Sequence, residues 1–172
     1  MAGSVADFFE LPEAEVRARL QREYDEPGIG VAEAWREAAP ETPDQVTRFY
    51  EETRSYVFDL AADHCRDRRA DVWAPVMARL TRAAGRDVLV YGDGIGTDSI
   101  ALARAGYRVT YFDLPGVTSA FARFQVAREG LAEQIAFVDR QDALQEGAAN
   151  GRRVGGKCPE EFIPNLCARL PA

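Results

Sequence analysis

Over the first 85 positions apolar residues recur at the three- and four-residue spacing of an amphipathic helix; beyond Asp87 they gather into short runs divided by glycine. Val16, Leu20 and Tyr24 mark a first helix from Leu11, with Pro12, Glu13 and Glu15 suited to its first turn and Asp25-Glu26-Pro27-Gly28 to its end. Val31, Ala34, Trp35 and Ala38 mark a short second one. Thr42-Pro43-Asp44-Gln45 has the form of a capping box, and Val46, Phe49, Tyr50, Val57, Leu60, Ala61 and His64 then share one face, which predicts a single long helix. After a charged Arg66-Asp67-Arg68-Arg69 gap, read as a solvated loop, Val72, Trp73, Val76, Met77 and Leu80 form a last helical face that ends at Gly85.

The period then changes. Val88-Leu89-Val90-Tyr91 is a continuous apolar run, predicting a strand buried on both faces of a parallel sheet. A glycine turn leads into a helix around Ser99 to Ala105, and Tyr107 to Phe112 reads as a second strand running into Asp113. Val117, Ala120, Phe121, Phe124 and Ala127 mark another helix, stopped by Gly130, before a third strand at Ile135-Ala136-Phe137-Val138. The expected fold is therefore α/β, three readable strands preceded by a helical region. The expected division is a helical lid at 1–85, a sheet half-domain at 86–144 and an atypical tail at 145–172.

Composition narrows the partners. The 172 residues carry 28 acidic and 21 basic side chains, a net charge of −7 that disfavours broad capture of nucleic-acid backbones or anionic membranes. Three scattered cysteines without a CxxC pair offer neither a disulfide framework nor a zinc site, so no metal is expected. The absence of a cationic, apolar leader or a membrane-length run predicts a cytoplasmic protein. The tail differs from the rest: it holds the chain's single lysine, Lys157, both asparagines and two of the three cysteines.

The chemistry concentrates in Tyr91-Gly92-Asp93-Gly94-Ile95-Gly96-Thr97-Asp98, between a strand and a helix. Glycines at 92, 94 and 96 permit a sharp turn and close backbone approach to a ligand, while the following helix offers unpaired N–H groups. Asp113 ends the next strand 21 residues after Gly92, where a carboxylate can accept both hydroxyls of a ribose; a strand-end solvated carboxylate is the competing reading. Asp142 follows the third strand on the same sheet edge, placed either for an adenine amino group or as a helix cap. A dinucleotide fingerprint would need glycine where Thr97 stands.

With Gly-x-Gly-x-Gly, Asp113 and Asp142 together, the stretch from Val88 to Asp142 resembles the first half of the class I S-adenosylmethionine-dependent methyltransferases. The resemblance implies a Rossmann-like sheet, S-adenosyl-L-methionine as cofactor and methyl transfer to a small-molecule acceptor. It also implies that Gly92, Asp93, Gly94 and Gly96 pass the amino-acid portion of the cofactor. Asp113, followed by Leu114, would then take the ribose side, and Asp142 with Ala143 the adenine. Phe49-Tyr50-Glu51-Glu52-Thr53 is similar to the lid helices that precede the sheet in such enzymes. Val90 stands where the family usually has an acidic residue for the cofactor's ammonium group, and Asp93 or Asp98 is the available substitute. The family's strand order is 3-2-1-4-5-7-6, of which only the first three are readable. This predicts a truncated or frame-shifted enzyme, or a homo-oligomer or complementing chain that completes the sheet. A non-catalytic cofactor-binding module and an NAD- or nucleotide-sugar-dependent enzyme are the alternatives.

Outside that stretch, Tyr50 and the sole histidine, His64, are the candidates for steering an acceptor. Each sits on an apolar helical face, where a structural role is the competing reading; Tyr56 has the same standing as Tyr50.

Overall fold

The computed structural model describes residues 1–66, 68–81 and 85–138. Within them lie eight helices and one three-stranded parallel sheet, a mixed α/β arrangement. No helix among the described residues is long and apolar enough to cross a membrane. The tail at 145–172 lies outside the described residues.

The helical region begins earlier than the periodicity indicates. Helix α1 (Ala2–Phe9) is too short to show a period and owes its stability to docking. Its Phe8 ring lies 5.2 Å from Phe121 and 5.4 Å from Phe124, and Phe9 stacks on Phe58 at 5.7 Å. Helices α2 (Glu13–Asp25) and α3 (Ile29–Ala38) fall where expected. The single helix expected from Thr42 to His64 is two: α4 (Pro43–Glu52), opened by the predicted Thr42–Gln45 capping box, and α5 (Ser55–His64). Thr53 takes an extended conformation between them, and its Oγ1 accepts the Ser55 N–H at 3.3 Å. The apolar pattern ran through the break because both helices carry apolar residues at helical spacing, although α4 places Phe49 and Tyr50 beside Trp35 while α5 places Val57, Phe58 and Ala61 in another cluster; the Tyr50 and Tyr56 rings meet at 5.3 Å.

The charged gap is also shorter than expected, since α6 (Arg68–Leu80) starts inside it and ends before Gly85. Nor is Arg66 solvated: its Nη2 donates to the carbonyls of Glu23 (3.2 Å) and Tyr24 (2.7 Å), satisfying the orphan end of α2.

Strands β1 (Asp87–Tyr91), β2 (Arg108–Phe112) and β3 (Ile135–Val138) lie side by side in that order, with α7 (Thr97–Arg104) between β1 and β2 in sequence and α8 (Val117–Arg128) between β2 and β3. Register aligns Val88 with Val109 and Ile135, and Val90 with Tyr111 and Phe137. These six side chains form one face and pack with Ile100, Leu102, Ala122, Val126, Trp73 and Met77, so α6, α7 and α8 all cover that side. The opposite face carries Leu89 and Tyr91, 42% and 46% exposed. The expectation that β1 is buried on both faces is therefore wrong for the described residues. Covering helices lie on one face, and a run of apolar residues cannot report how many faces are covered.

A second core joins the helical region to the sheet's loops: Val5, Val16, Val57, Phe58 and Ala61 pack with Ile95 and Phe121. Burying each such valine or phenylalanine contributes about 1.5–3 kcal/mol, enough to hold the helices against the glycine turn. Beneath them Glu23 is 5% exposed; its Oε1 accepts the Gly30 N–H at 2.8 Å, while Asp59 takes that of Gly28 at 3.0 Å. Burial, with the Asp59 carboxylate adding to it, lifts the Glu23 carboxyl above its ordinary value. A raised folded-state value means protonation favours the fold. The stability that Glu23 contributes is thus fully present below the ordinary glutamate range and is lost as pH rises through the raised value. Urea denaturation across this interval should show that decline, and Glu23→Gln should flatten it.

Candidate cofactor site

All three strands are parallel, so their carboxyl ends lie along one sheet edge, which is where ligands bind in open α/β sheets. At that edge the Gly92 N–H donates to the Phe112 carbonyl at 2.9 Å, extending the β1–β2 ladder by one rung before the chain turns away. Gly92, Gly94 and Gly96 have φ of 71°, 62° and 80°, left-handed values that side chains rarely accept. The glycines differ in what surrounds them. A Cβ on Gly96 would stand 3.0 Å from the Ala122 Cβ, so this glycine is needed for α8 to close on the turn. A Cβ on Gly94 would strike Leu60 of α5. One on Gly92 would meet nothing within 4 Å, which leaves that side of the turn open.

Asp93 is 8% exposed and turned inward: its Oδ1 accepts the Asp98 N–H at 3.0 Å and its Oδ2 the Ser99 N–H at 2.8 Å. Although it precedes the first turn of α7 by four residues, it caps that turn. Asp98 accepts the Trp73 Nε1–H at 3.2 Å, tying α6 to the same place. Both carboxylates proposed to replace the missing acidic residue at Val90 are thus engaged in holding α7.

Asp113 reaches across from the end of β2. Its Oδ2 accepts the Gly94 N–H at 2.6 Å and its Oδ1 the Leu114 N–H at 2.7 Å. Two residues earlier, fully buried Tyr111 donates its hydroxyl proton to the Gly94 carbonyl at 2.6 Å. The same hydroxyl stands 3.5 Å from Asp113 Oδ2, too far for a second strong bond, and it has only one proton to give. Burial lifts the Asp113 carboxyl above its ordinary value, opposed by the Gly94 and Leu114 amides; burial and the carboxylates of Asp113 and Asp93 lift the Tyr111 phenol. Each oxygen of Asp113 retains a lone pair for an outside donor, and Leu114 beside it is 55% exposed.

The structure brings together Gly92, Asp93, Gly94, Gly96, Asp113 and Leu114. Asp142 and Ala143 lie outside the described residues. Tyr50 and Tyr56 pair with each other in an aromatic group with Trp35 and Phe49, and His64 ends α5 one turn beyond Leu60. Burial, followed by the hydrogen bond with Tyr50, lifts the Tyr56 phenol. Tyr111 is the participant that periodicity missed, because it reads as an ordinary strand aromatic; its place two residues before Asp113, on the same side of the chain, was the available signal. A cleft of about 580 Å³ is lined by Phe8, Phe9, Glu51, Arg54, Gly116 and Val117. It lies beside a different side of α8 from the one that meets the turn through Thr118 and Ala122.

In comparisons with known proteins, no family model, no curated sequence and no solved structure matches this chain.

The two outer glycines should respond differently to substitution. Gly96→Ala incurs both backbone strain and a contact with α8, and is expected to cost about 2–4 kcal/mol of stability; Gly92→Ala incurs the strain alone, about 1 kcal/mol. Thermal and urea unfolding of the two variants would measure the difference.

Proposed function

We propose that the chain binds S-adenosylmethionine on a Rossmann-like half-sheet and takes part in methyl transfer to a small-molecule acceptor. The observation that carries this reading is the Asp113 carboxylate, held by the Gly94 amide beside the open side of Gly92 at the carboxyl edge of the sheet. Its remaining lone pairs suit the two hydroxyls of a ribose, and exposed Leu114 offers an apolar surface beside them. The residues present fit the nucleoside part of the cofactor; the side chain two before Gly92 is buried Val90, so no carboxylate there meets an ammonium group.

The cofactor supplies an activated methyl group. The chain's own contribution is alignment: the turn fixes one end of the site, Asp113 orients the ribose, and α5, through Leu60 on Gly94, closes over the turn. Transfer by direct displacement takes much of its rate from such alignment, so a dedicated base is not required.

Calorimetric titration is expected to show binding of S-adenosylhomocysteine and not of NAD; binding of NAD alone overturns the reading. Asp113→Ala should weaken S-adenosylhomocysteine by about 1.5–3 kcal/mol, since it removes charge-assisted bonds and releases the Gly94 amide. Binding should also fade as pH falls through the raised Asp113 value, because only the ionised carboxylate accepts from both hydroxyls.

A second reading, a cofactor-binding module completed by another chain, is favoured by β1. Among the described residues its outer edge has no strand beside it, and Leu89 and Tyr91 stand exposed on one face. This reading expects light scattering to report a dimer that Leu89→Lys dissociates; a monomer at all concentrations sinks it.

A further inference from the structure

Gly94 is held on both sides of its Cα by residues of one segment, so the two peptide units that flank it are each fixed. Its N–H donates to Asp113 Oδ2 at 2.6 Å, and its C=O accepts from the Tyr111 hydroxyl at 2.6 Å. The two gripping residues are i and i+2 of the same segment, so they project to the same side, one onto the peptide before Gly94 and one onto the peptide after it. Gly94 is also the glycine that Leu60 presses from α5, so its peptide has contacts on three sides while Gly92, two residues away, has open space.

We propose that Tyr111 is a positioning residue for nucleoside binding, acting through Gly94: it holds the middle of the turn so that the Gly94 N–H stays on Asp113 and the carboxylate keeps its orientation and its remaining acceptor capacity. The inference rests on the cofactor reading above and adds a residue to it. Tyr111 is fully buried, so it does not meet the ligand. Its hydroxyl is spent on a main-chain carbonyl, whereas in the core a phenylalanine of the same shape would pack equally well against Phe137, whose ring lies 4.6 Å away. Without the hydroxyl, the Gly94 carbonyl is left buried and without that partner, and the Gly94–Ile95 peptide is free to rotate, which disturbs the neighbouring peptide whose N–H Asp113 accepts. Such rotation would carry the Asp113 carboxylate with it, and a misplaced acceptor loses both ribose bonds together.

The test compares Tyr111→Phe with Val126→Ala, a variant in the same core that truncates a buried side chain on α8 without touching the turn. Both are expected to lower stability. Only Tyr111→Phe should weaken S-adenosylhomocysteine, by about tenfold, the worth of one well-placed hydrogen bond. Only Tyr111→Phe should also shift the Gly94 carbonyl carbon signal and speed hydrogen exchange at the Gly94 amide in the ligand-free protein. If the two variants match in affinity and in the Gly94 signals, Tyr111 is simply a core residue and the proposal fails. If the wild-type protein does not bind S-adenosylhomocysteine, the cofactor reading fails, and the Gly94 signals of the two variants still decide whether Tyr111 holds the turn.

Discussion

A chain leaving a parallel strand has to satisfy its backbone while turning through left-handed conformations, and here it does so by hydrogen bonding to the neighbouring strand. Gly92 donates to Phe112, Gly94 is held by Asp113 and Tyr111, and Asp93 caps the helix into which the turn runs. Most of the remaining architecture answers to this connection. Helix α8 approaches Gly96 so closely that a Cβ there would stand 3.0 Å from the Ala122 Cβ, and the tip of the Leu60 side chain reaches Gly94 from α5. Ile95, between them, is 2% exposed and takes its place in the core that α1, α2 and α5 build.

The helical region is consequently joined to the sheet through the turn. Leu60, Val57 and Ala61 lie on the stripe of α5 that packs toward Ile95 and Phe121, and the Glu51 backbone abuts Gly116 just after β2. A helix that rests on the glycine turn can influence what binds there. That arrangement makes the helices part of the proposed site even though their aromatic group of Trp35, Phe49, Tyr50 and Tyr56 packs mainly with itself.

Electrostatics divides the carboxylates by task. Asp93 and Asp98 serve α7, Glu23 and Asp59 serve the start of α3, and Asp113 alone joins a strand end to the turn while keeping acceptor capacity. Surface pairs such as Arg17–Glu13 and Arg108–Asp87 are exposed to water, which screens them, so they hold the fold only weakly. The acidic net charge therefore reports little about the site, whose character depends on one carboxylate and three glycines.

Periodicity alone determined most of the elements: the capping box at Thr42, the three strands and the helices between them follow from local patterns that are satisfied within a few residues. The glycine spacing and the position of Asp113 were legible for the same reason. What the pattern could not decide was anything requiring knowledge of which surfaces meet. It joined α4 to α5 because the helical spacing of apolar residues runs through both, missed α1 because eight residues carry no clear period, and assigned β1 two buried faces where the described residues cover one. It gave no sign that Asp93 accepts the first amides of α7, and it passed over Tyr111, whose hydroxyl meets Gly94 only after β2 pairs with β1. Local sequence specifies where the backbone turns and which side chains are apolar; whether a polar group faces a ligand or a helix end depends on tertiary packing, because hydrogen-bond partners are chosen by distance in space.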